Sequence, residues 1–193
     1  MRQKKGAPLR SDAQRNRERI LAVALAELTR SADVPLSRIA RKACVGQGTF
    51  YRHFPTREAL VLEVYRHELQ QVADSAAELL ATREPDRALR EWMDRLARFA
   101  MTKVGLAEAI RRATSGPGSP DKPGHAPAAE AAELLLRAGE KAGTIRPGVT
   151  ADDFFLAIAG LWQIDPQDWQ PRATRLLDLV MDGLRTGRPG TDQ

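Results

Sequence analysis

The sequence predicts an all-α protein of about nine helices, and three observations lead to this fold class. Apolar residues recur at intervals of three or four along most of the 193 residues, which is the period of an amphipathic helix. No stretch sustains the alternation of apolar and polar residues that is typical of a strand with one buried face. Proline and glycine clusters interrupt the helical pattern at several points, where helices are expected to end.

Three helices are predicted in the first part of the chain. The first follows a capping-box signature formed by Ser11 and Gln14, and it ends near residue 30. Ser37 is a suitable N-cap for a second, brief helix. A third brief helix spans about Gln47–His53. It stops before Pro55, because the residue that precedes a proline is pushed out of the helical conformation.

Longer helices are predicted in the rest of the chain. Thr56 can cap the first of them, and Pro85 separates it from the next. The pair Thr150 and Asp153 forms another capping box. Residues 116–127 contain four prolines and three glycines, so this segment is expected to be a surface loop. The predicted helices cover residues 57–81, 89–100, 105–113, 128–142, 152–162 and 171–186.

Charge is distributed unevenly along the chain. The whole molecule carries a formal net charge of +5. Residues 1–57 hold 13 basic and four acidic side chains, a net charge of +9, whereas the remaining 136 residues carry −4. One basic end and one acidic body indicate two modules, of which the first binds a polyanion.

Composition excludes several classes of protein. The longest apolar runs are Ile20–Ala26 and Phe154–Trp162, both far shorter than the roughly 20 residues that span a bilayer, so no membrane partner is expected. The basic start of the chain lacks the apolar stretch of a secretory signal, which indicates a cytoplasmic protein. Cys44 is the only cysteine and the histidines are scattered, so no disulfide, metal site or cofactor is expected.

The two brief helices, joined by a tight turn after a longer support helix, are typical of a helix-turn-helix motif, whose second helix lies in the major groove of DNA. Gln47 and Thr49 stand at the start of that helix, where side chains can reach base edges. Gly46 and Gly48 leave space there for backbone N–H groups to approach a phosphate. The following turn carries side chains that suit phosphate oxygens, namely Tyr51, Arg52 and His53.

The stretch Pro35–Leu60, PLSRIARKACVGQGTFYRHFPTREAL, closely resembles the DNA-binding domain of tetracycline-repressor-type (TetR/AcrR) regulators. The resemblance covers about residues 15–65 and includes the signature GTFYRHF in the expected place. Beyond it, the chain resembles the family only in the number and order of its helices. The resemblance implies base contacts by Gln47 and Thr49. It also implies contacts with the DNA backbone by Tyr51, His53 and Arg57, with Ser37 and Arg38 contributing from the preceding helix.

Cys44 departs from the pattern of this family, which usually has a glycine in left-handed conformation in the turn. A cysteine in that conformation would carry about 1 kcal/mol or more of strain, unless the turn differs slightly. The residue is either structural or a redox-sensing thiol.

These patterns divide the chain into four segments. Residues 1–10 are expected to form a disordered basic arm, which either contacts DNA or is a solvated tail. Residues 11–56 form the predicted helix-turn-helix DNA-binding domain, residues 57–187 a helical effector-binding and dimerisation domain, and residues 188–193 a tail.

A helix-turn-helix monomer contacts a single half-site, so the protein is expected to be a homodimer. The segment Phe154–Trp162 is apolar on every side and must be covered, and the last predicted helix carries a second apolar stripe. In the resembled family, the last two helices form the interface with their symmetry mates. The predicted interface residues are Phe154, Ala157, Ile158, Gly160, Leu161, Leu177, Val180, Met181 and Leu184.

The middle helices are expected to enclose a pocket for a small-molecule effector, and such pockets are mostly apolar. The candidate lining residues fit an ordinary core equally well, and the sequence does not identify the effector. They are Trp92, Met93, Leu96, Phe99, Met101, Ile110, Leu135 and Phe155.

The leading interpretation is a homodimeric repressor that a small-molecule effector releases from a palindromic, double-stranded DNA operator. A DNA-binding regulator without an effector, or an activator, stays open as an alternative. A small helical enzyme is the alternative from another class. Its nearest nucleophile and base are Cys44 and His53, which have poor geometry for activation, so the sequence favours a protein that is not an enzyme.

Overall fold

A computed structural model describes residues 8–31, 33–114, 126–165 and 167–186, which contain eight α-helices and one 3-10 helix. The described residues form no strand, and an isolated antiparallel bridge joins Ile145 and Arg185. The predicted all-α class is confirmed, with eight α-helices where about nine were expected. The helices are α1 (Pro8–Arg30), α2 (Leu36–Lys42), α3 (Gln47–His53), α4 (Arg57–Leu80), α5 (Pro85–Thr114), α6 (Ala126–Lys141), α7 (Ala151–Ala157), the 3-10 helix (Ala159–Gln163) and α8 (Trp169–Leu184).

The start of α1 differs from the sequence prediction. The helix begins at Pro8, so Ser11 lies inside it and is not its N-cap. Proline suits the first turn of a helix, because an N–H group there has no helical partner to lose. Residues 8–10 of the predicted disordered arm are therefore helical, whereas residues 1–7 and the predicted tail 188–193 lie outside the described residues.

Two other helix boundaries also differ. α5 runs without a break from Pro85 to Thr114, so it includes the expected continuation at residues 105–113 and closes the gap left before it. An internal glycine, here Gly105, costs a helix only about 1 kcal/mol relative to alanine, and no proline interrupts the segment. The predicted helix 152–162 is divided, because α7 ends at Ala157 and a 3-10 helix follows. Short 3-10 segments are common at helix ends.

The described residues form two compact units. The helix-turn-helix unit comprises those within Met1–His67 and Gly105–Pro123. Its core is one apolar cluster from α1, α2, α3, α4 and the end of α5, and Phe50 lies at 0% exposure within it. The other members that are at most 1% exposed are Ile20, Leu21, Ala24, Leu28, Ile39, Ala40, Ala43, Leu60, Val61, Val64 and Leu106.

The body unit comprises the described residues within Glu68–Val104 and Gly124–Gln193. Trp92 is fully buried in it, and its indole N–H donates to the carbonyl oxygen of Val72 at 2.8 Å. The ring of Phe154 lies 6.0 Å from that of Trp92, centroid to centroid. The predicted capping box of Thr150 and Asp153 is confirmed at the start of α7. Its hydrogen bonds lower the pKa of the Asp153 carboxyl.

In the described parts of the chain, no helix is both long enough and apolar enough to cross a membrane.

Candidate nucleic-acid interface

The turn between α2 and α3 has the backbone conformation expected at Cys44. This residue has φ 53°, which is the left-handed region that favours glycine. The backbone N–H of Cys44 donates to Arg41 and that of Val45 donates to Ala40, at 3.1 and 3.0 Å. The chain therefore turns sharply after α2, so that α3 starts in a new direction after Gly46.

Replacing Cys44 with glycine is expected to raise the free energy of unfolding by about 0.5–1 kcal/mol, because glycine relieves the strain but also adds freedom to the unfolded chain. Urea unfolding followed by circular dichroism measures this change. Cys44→Ala is the matched control, since alanine keeps the Cβ and loses only the exposed thiol. An equal gain from alanine would show that the thiol, and not the backbone, is responsible.

One face of α3 holds it in the unit and the other faces outward. Phe50 and Phe54 are 0% and 2% exposed, and their ring centroids are 5.8 Å apart. On the outward side, Thr49 is half-buried and Tyr51 is 41% exposed. The other predicted contact residues of α3 are exposed, namely Gln47, Gly48, Arg52 and His53.

The two glycines at the start of α3 face open space. A Cβ atom added at Gly46 or Gly48 would have no heavy atom within 4 Å. Packing inside the chain therefore does not require glycine at either position. The absence of side chains leaves room for an external group to approach the backbone N–H groups at the start of the helix.

A groove of about 600 Å³ lies beside the start of α3 and brings together several predicted DNA-contacting residues. Ser37, Arg38 and Gln47 all line it. Arg41 also lines it, although sequence reasoning did not select this residue. The spacing of Arg38 and Arg41 could have revealed it, because side chains three apart share one face of a helix.

Arg57, which was predicted to contact the DNA backbone, has a partner inside the unit. Its guanidinium donates a hydrogen bond to the carbonyl oxygen of Val34, and the residue is half-buried. The contact joins the first residue of α4 to the loop that precedes α2. Arg57 does not line the groove beside α3.

Glu27 is a buried carboxylate of α1 that sequence reasoning missed, and three cations surround it. Its side chain is 6% exposed. Lys42 Nζ lies 2.6 Å from Oε1, Arg38 Nε lies 3.0 Å from Oε2, and Arg30 Nη1 lies 3.6 Å from Oε1. The hydrogen bond from Lys42 and the nearby positive charges keep the pKa of the Glu27 carboxyl below its usual value. The carboxyl group is therefore ionised at neutral pH.

The predicted effector-binding residues are divided between the two units. Ile110 packs against the core of the helix-turn-helix unit, whereas the other seven lie in the body unit. Met101 and Phe155 are half-buried. The remaining five, at 0–5% exposure, are core residues: Trp92, Met93, Leu96, Phe99 and Leu135. Apolar spacing alone cannot separate a pocket lining from a packed core.

The body unit has a cleft of about 390 Å³ that none of the predicted effector-binding residues lines. It lies between α5 and α8, and its wall combines an aromatic ring with charged and polar side chains. The lining residues are Arg90, Asp94, Ala97, Arg98, Trp169, Gln170, Ala173 and Thr174. Arg90 forms ion pairs with Asp94 and, at 2.9 Å, with Asp178.

Most of the predicted interface residues are already covered within the body unit. Six are 0–7% exposed, namely Phe154, Ile158, Leu161, Leu177, Met181 and Leu184. A side chain without accessible surface cannot bury more against a partner, so this stripe belongs to the core of its own protomer. Val180 is half-buried, while Ala157 and Gly160 are exposed. Sequence reasoning missed two large exposed apolar side chains, Leu156 at 75% and Leu179 at 71%.

Two family models match the chain and together cover most of it. The model described as bacterial regulatory proteins, tetR family, matches residues 20–64. The model described as transcriptional regulator SbtR-like, C-terminal domain, matches residues 84–186. No sequence among the curated proteins compared matches this chain.

Several solved structures are similar to this chain in sequence and fold. A TetR transcriptional regulator from Streptomyces coelicolor is 41% identical, with a TM-score of 0.77, over 89% of this chain and 99% of that one. A TetR transcription regulatory protein from Mycobacterium vanbaalenii is 35% identical, with a TM-score of 0.73, over 93% and 100%. RolR, solved in complex with the ligand resorcinol, is 15% identical over 90% and 89%, with a TM-score of 0.55. RolR is thus similar in fold alone.

Proposed function

Because the chain belongs to the TetR family of transcriptional regulators, which are DNA-binding proteins, we propose that it acts as a homodimeric repressor that a small-molecule effector releases from a palindromic operator. The exposed face of α3 beside a groove lined by Arg38 and Arg41 is the observation that carries this proposal. Such a surface matches a major groove bordered by phosphates.

In this proposal, α3 enters the major groove and its first turn contacts the bases. Gln47 forms a paired hydrogen bond with adenine, and Thr49 contacts a neighbouring base. Gly48 lets the backbone come close to the DNA. The phosphate contacts come from the rest of α3 and from α2, through Ser37, Arg38, Tyr51, Arg52 and His53. Arg57 supports this surface through its bond to Val34.

The dimer interface is proposed on α7 and α8, around Leu156 and Leu179. These side chains are large, apolar and 75% and 71% exposed, and a partner protomer would cover them. Ala157 and Gly160 are exposed nearby in the chain and are small enough for a close approach of two helices. Two protomers are needed because a palindromic operator has two half-sites, about 34–36 Å apart.

The effector is proposed to bind in the body unit, in the cleft between α5 and α8. Trp169 offers an aromatic surface there, and Arg98, together with the ion pair of Arg90 and Asp94, offers charged and hydrogen-bonding groups. This lining suits a small molecule with a ring and an anionic or hydrogen-bonding group. RolR, which has the same fold, was solved with the ligand resorcinol, so this fold can hold a small molecule. Release requires that the effector prefer the conformation that does not bind DNA.

Gln47→Ala and Tyr51→Phe are expected to affect DNA binding in different ways. The first removes a base contact, so it should relax the preference at one base pair, where discrimination of about 1–3 kcal/mol is lost. The second removes a phosphate contact, so it should weaken binding to all sequences alike. Selection of genomic fragments with the purified protein would identify the operator. Fluorescence anisotropy with single-base variants of the operator then measures both effects.

The wild-type protein provides the reference for these variants. Its affinity for the operator should fall with salt, with a slope near −0.9 in log K against log salt for each neutralised phosphate. A complex that is insensitive to salt, or no complex with any fragment, would refute the proposed DNA interface. Identical effects of the two substitutions would refute the assignment of separate base and phosphate contacts.

The double substitution Leu156→Glu with Leu179→Glu is expected to produce a monomer that binds the operator at least about 100-fold more weakly, because linked half-site binding is lost. Sedimentation velocity measures the oligomeric state and anisotropy measures the affinity. Leu134→Glu, at a 46% exposed leucine of α6, is the matched control and should remain a dimer. A double variant that still sediments as a dimer would place the interface elsewhere.

A further inference from the structure

We infer that Glu27 is a positioning residue of the DNA interface, which orients Arg38 and holds Lys42 against α1, and thereby limits binding to DNA of any sequence. The inference rests on the proposed function, because it concerns the same face of α2 and α3. Glu27 contacts no DNA itself, but it controls how many cations the proposed interface offers to phosphates.

The geometry places an anion beneath two surface cations. The Glu27 side chain is 6% exposed, whereas those of Arg38 and Lys42 are 53% and 41% exposed. Arg38 and Lys42 are four residues apart and share one face of α2. One carboxylate oxygen contacts Lys42 at 2.6 Å and the other contacts Arg38 at 3.0 Å. The two cations are thus held by separate oxygens of a single group.

The two cations are restrained to different degrees. Lys42 has one compact ammonium group that keeps two further N–H donors, but its position and charge are tied to Glu27 by the contact at 2.6 Å. Arg38 uses Nε for the carboxylate, so its two terminal amino groups can still reach a phosphate beside the groove. The consequence is that Arg38 contributes an oriented contact, while Lys42 is withheld from the DNA.

Binding of DNA cannot easily reverse this arrangement. A phosphate that drew Lys42 away would leave a nearly buried carboxylate with fewer partners, which is unfavourable. The number of phosphates that a protein neutralises determines the electrostatic, sequence-independent part of its affinity. A buried anion that withholds a cation therefore lowers the sequence-independent part of the affinity and leaves the groups that contact bases unchanged. As a result, it raises the ratio of specific to non-specific binding.

The test is a salt titration of Glu27→Gln with two duplexes, the selected operator and a random sequence of equal length. Release of Lys42 should make the slope of log K against log salt more negative by about 1 per bound protomer, because Arg38 already contacts a phosphate in the proposed interface. The loss of affinity between 50 and 200 mM salt then grows by about three- to fourfold per protomer. At low salt the random duplex should gain more affinity than the operator does.

Glu18→Gln is the matched control, because Glu18 is an exposed residue of the same helix whose carboxylate accepts a hydrogen bond from Gln14. This variant changes the net charge by the same amount, yet it should leave the slope near that of the wild-type protein. Adding Lys42→Gln to Glu27→Gln should restore about one unit of slope, which identifies Lys42 as a released cation.

The outcomes separate this inference from the proposed function. Absence of any DNA binding by the wild-type protein would refute the proposed function. Salt-dependent binding by the wild type, with a slope that Glu27→Gln changes no more than Glu18→Gln does, would overturn the role of Glu27 alone. If Glu27→Gln does not fold, Lys42→Gln decides: the slope stays within about 0.3 of the wild type if Lys42 is withheld, and falls by about one unit if it contacts a phosphate.

Discussion

Replacing Phe50 with alanine is expected to lower the free energy of unfolding of the helix-turn-helix unit by about 3–5 kcal/mol, the usual loss for a buried aromatic ring. Phe50 is 0% exposed in the apolar cluster of that unit. It is also a main anchor of α3, which has seven residues and is too short to be stable without tertiary packing. The variant should lose operator binding because α3 loses its position.

Urea unfolding followed by circular dichroism measures this loss. The matched control is Tyr51→Ala, the next aromatic residue along α3, which is 41% exposed. The control should cost about 1 kcal/mol or less in stability and still lose affinity for DNA. If both variants lose the same free energy of unfolding, Phe50 is not the anchor of α3.

Gly139→Ala is expected to lower the free energy of unfolding by about 1–3 kcal/mol, even though alanine is normally the better helix former. A Cβ at Gly139 would lie 2.9 Å from Cβ of Ile145 and closer still to its Cγ1. Ile145 is 1% exposed, so its side chain has little freedom to move away. Its backbone is also held, because the next residue, Arg146, donates to the carbonyl oxygen of Leu184 at 2.8 Å.

Gly183→Ala provides a comparison, because it should change the free energy of unfolding in the opposite direction. Gly183 lies inside α8, and a Cβ added there would have no heavy atom within 4 Å. Alanine at this position should raise the free energy of unfolding by about 0.5–1 kcal/mol, because it restricts the unfolded chain and favours the helix. Thermal and urea unfolding of both variants test the pair. A gain from both substitutions would mean that α6 can move away from Ile145 at little cost.

The helix-turn-helix region could be predicted from the sequence because its determinants are local. Pro55 follows the end of α3 closely, and the predicted cap Thr56 accepts a hydrogen bond from the Ala59 N–H at the start of α4. The left-handed conformation of Cys44, one of two alternatives left open, was implied by the resemblance of this short motif to the TetR/AcrR DNA-binding domain. Each of these signals involves residues a few positions apart, so no knowledge of the remaining fold is needed.

The sequence could not show in the same way which surfaces cover the apolar faces of the long helices. An apolar stripe shows that a helix face is covered but does not show what covers it. Leu177 and Met181 were therefore predicted to meet a second protomer, yet they are buried in their own body unit. Glu27 was missed for a related reason. In the sequence it is one charge on a helix, and its contact with Lys42, 15 residues away, exists only in the folded unit.

The sequence by itself determined the all-α class, the position of the helix-turn-helix and the residues that α3 exposes, because helical period, capping and turn chemistry act over a few residues. Only the tertiary structure decided which apolar side chains form the core, which leucines stay exposed, and which cations form ion pairs with Glu27 of α1. Burial and ion pairing depend on contacts between residues far apart in the chain, and these contacts arise only when the helices pack.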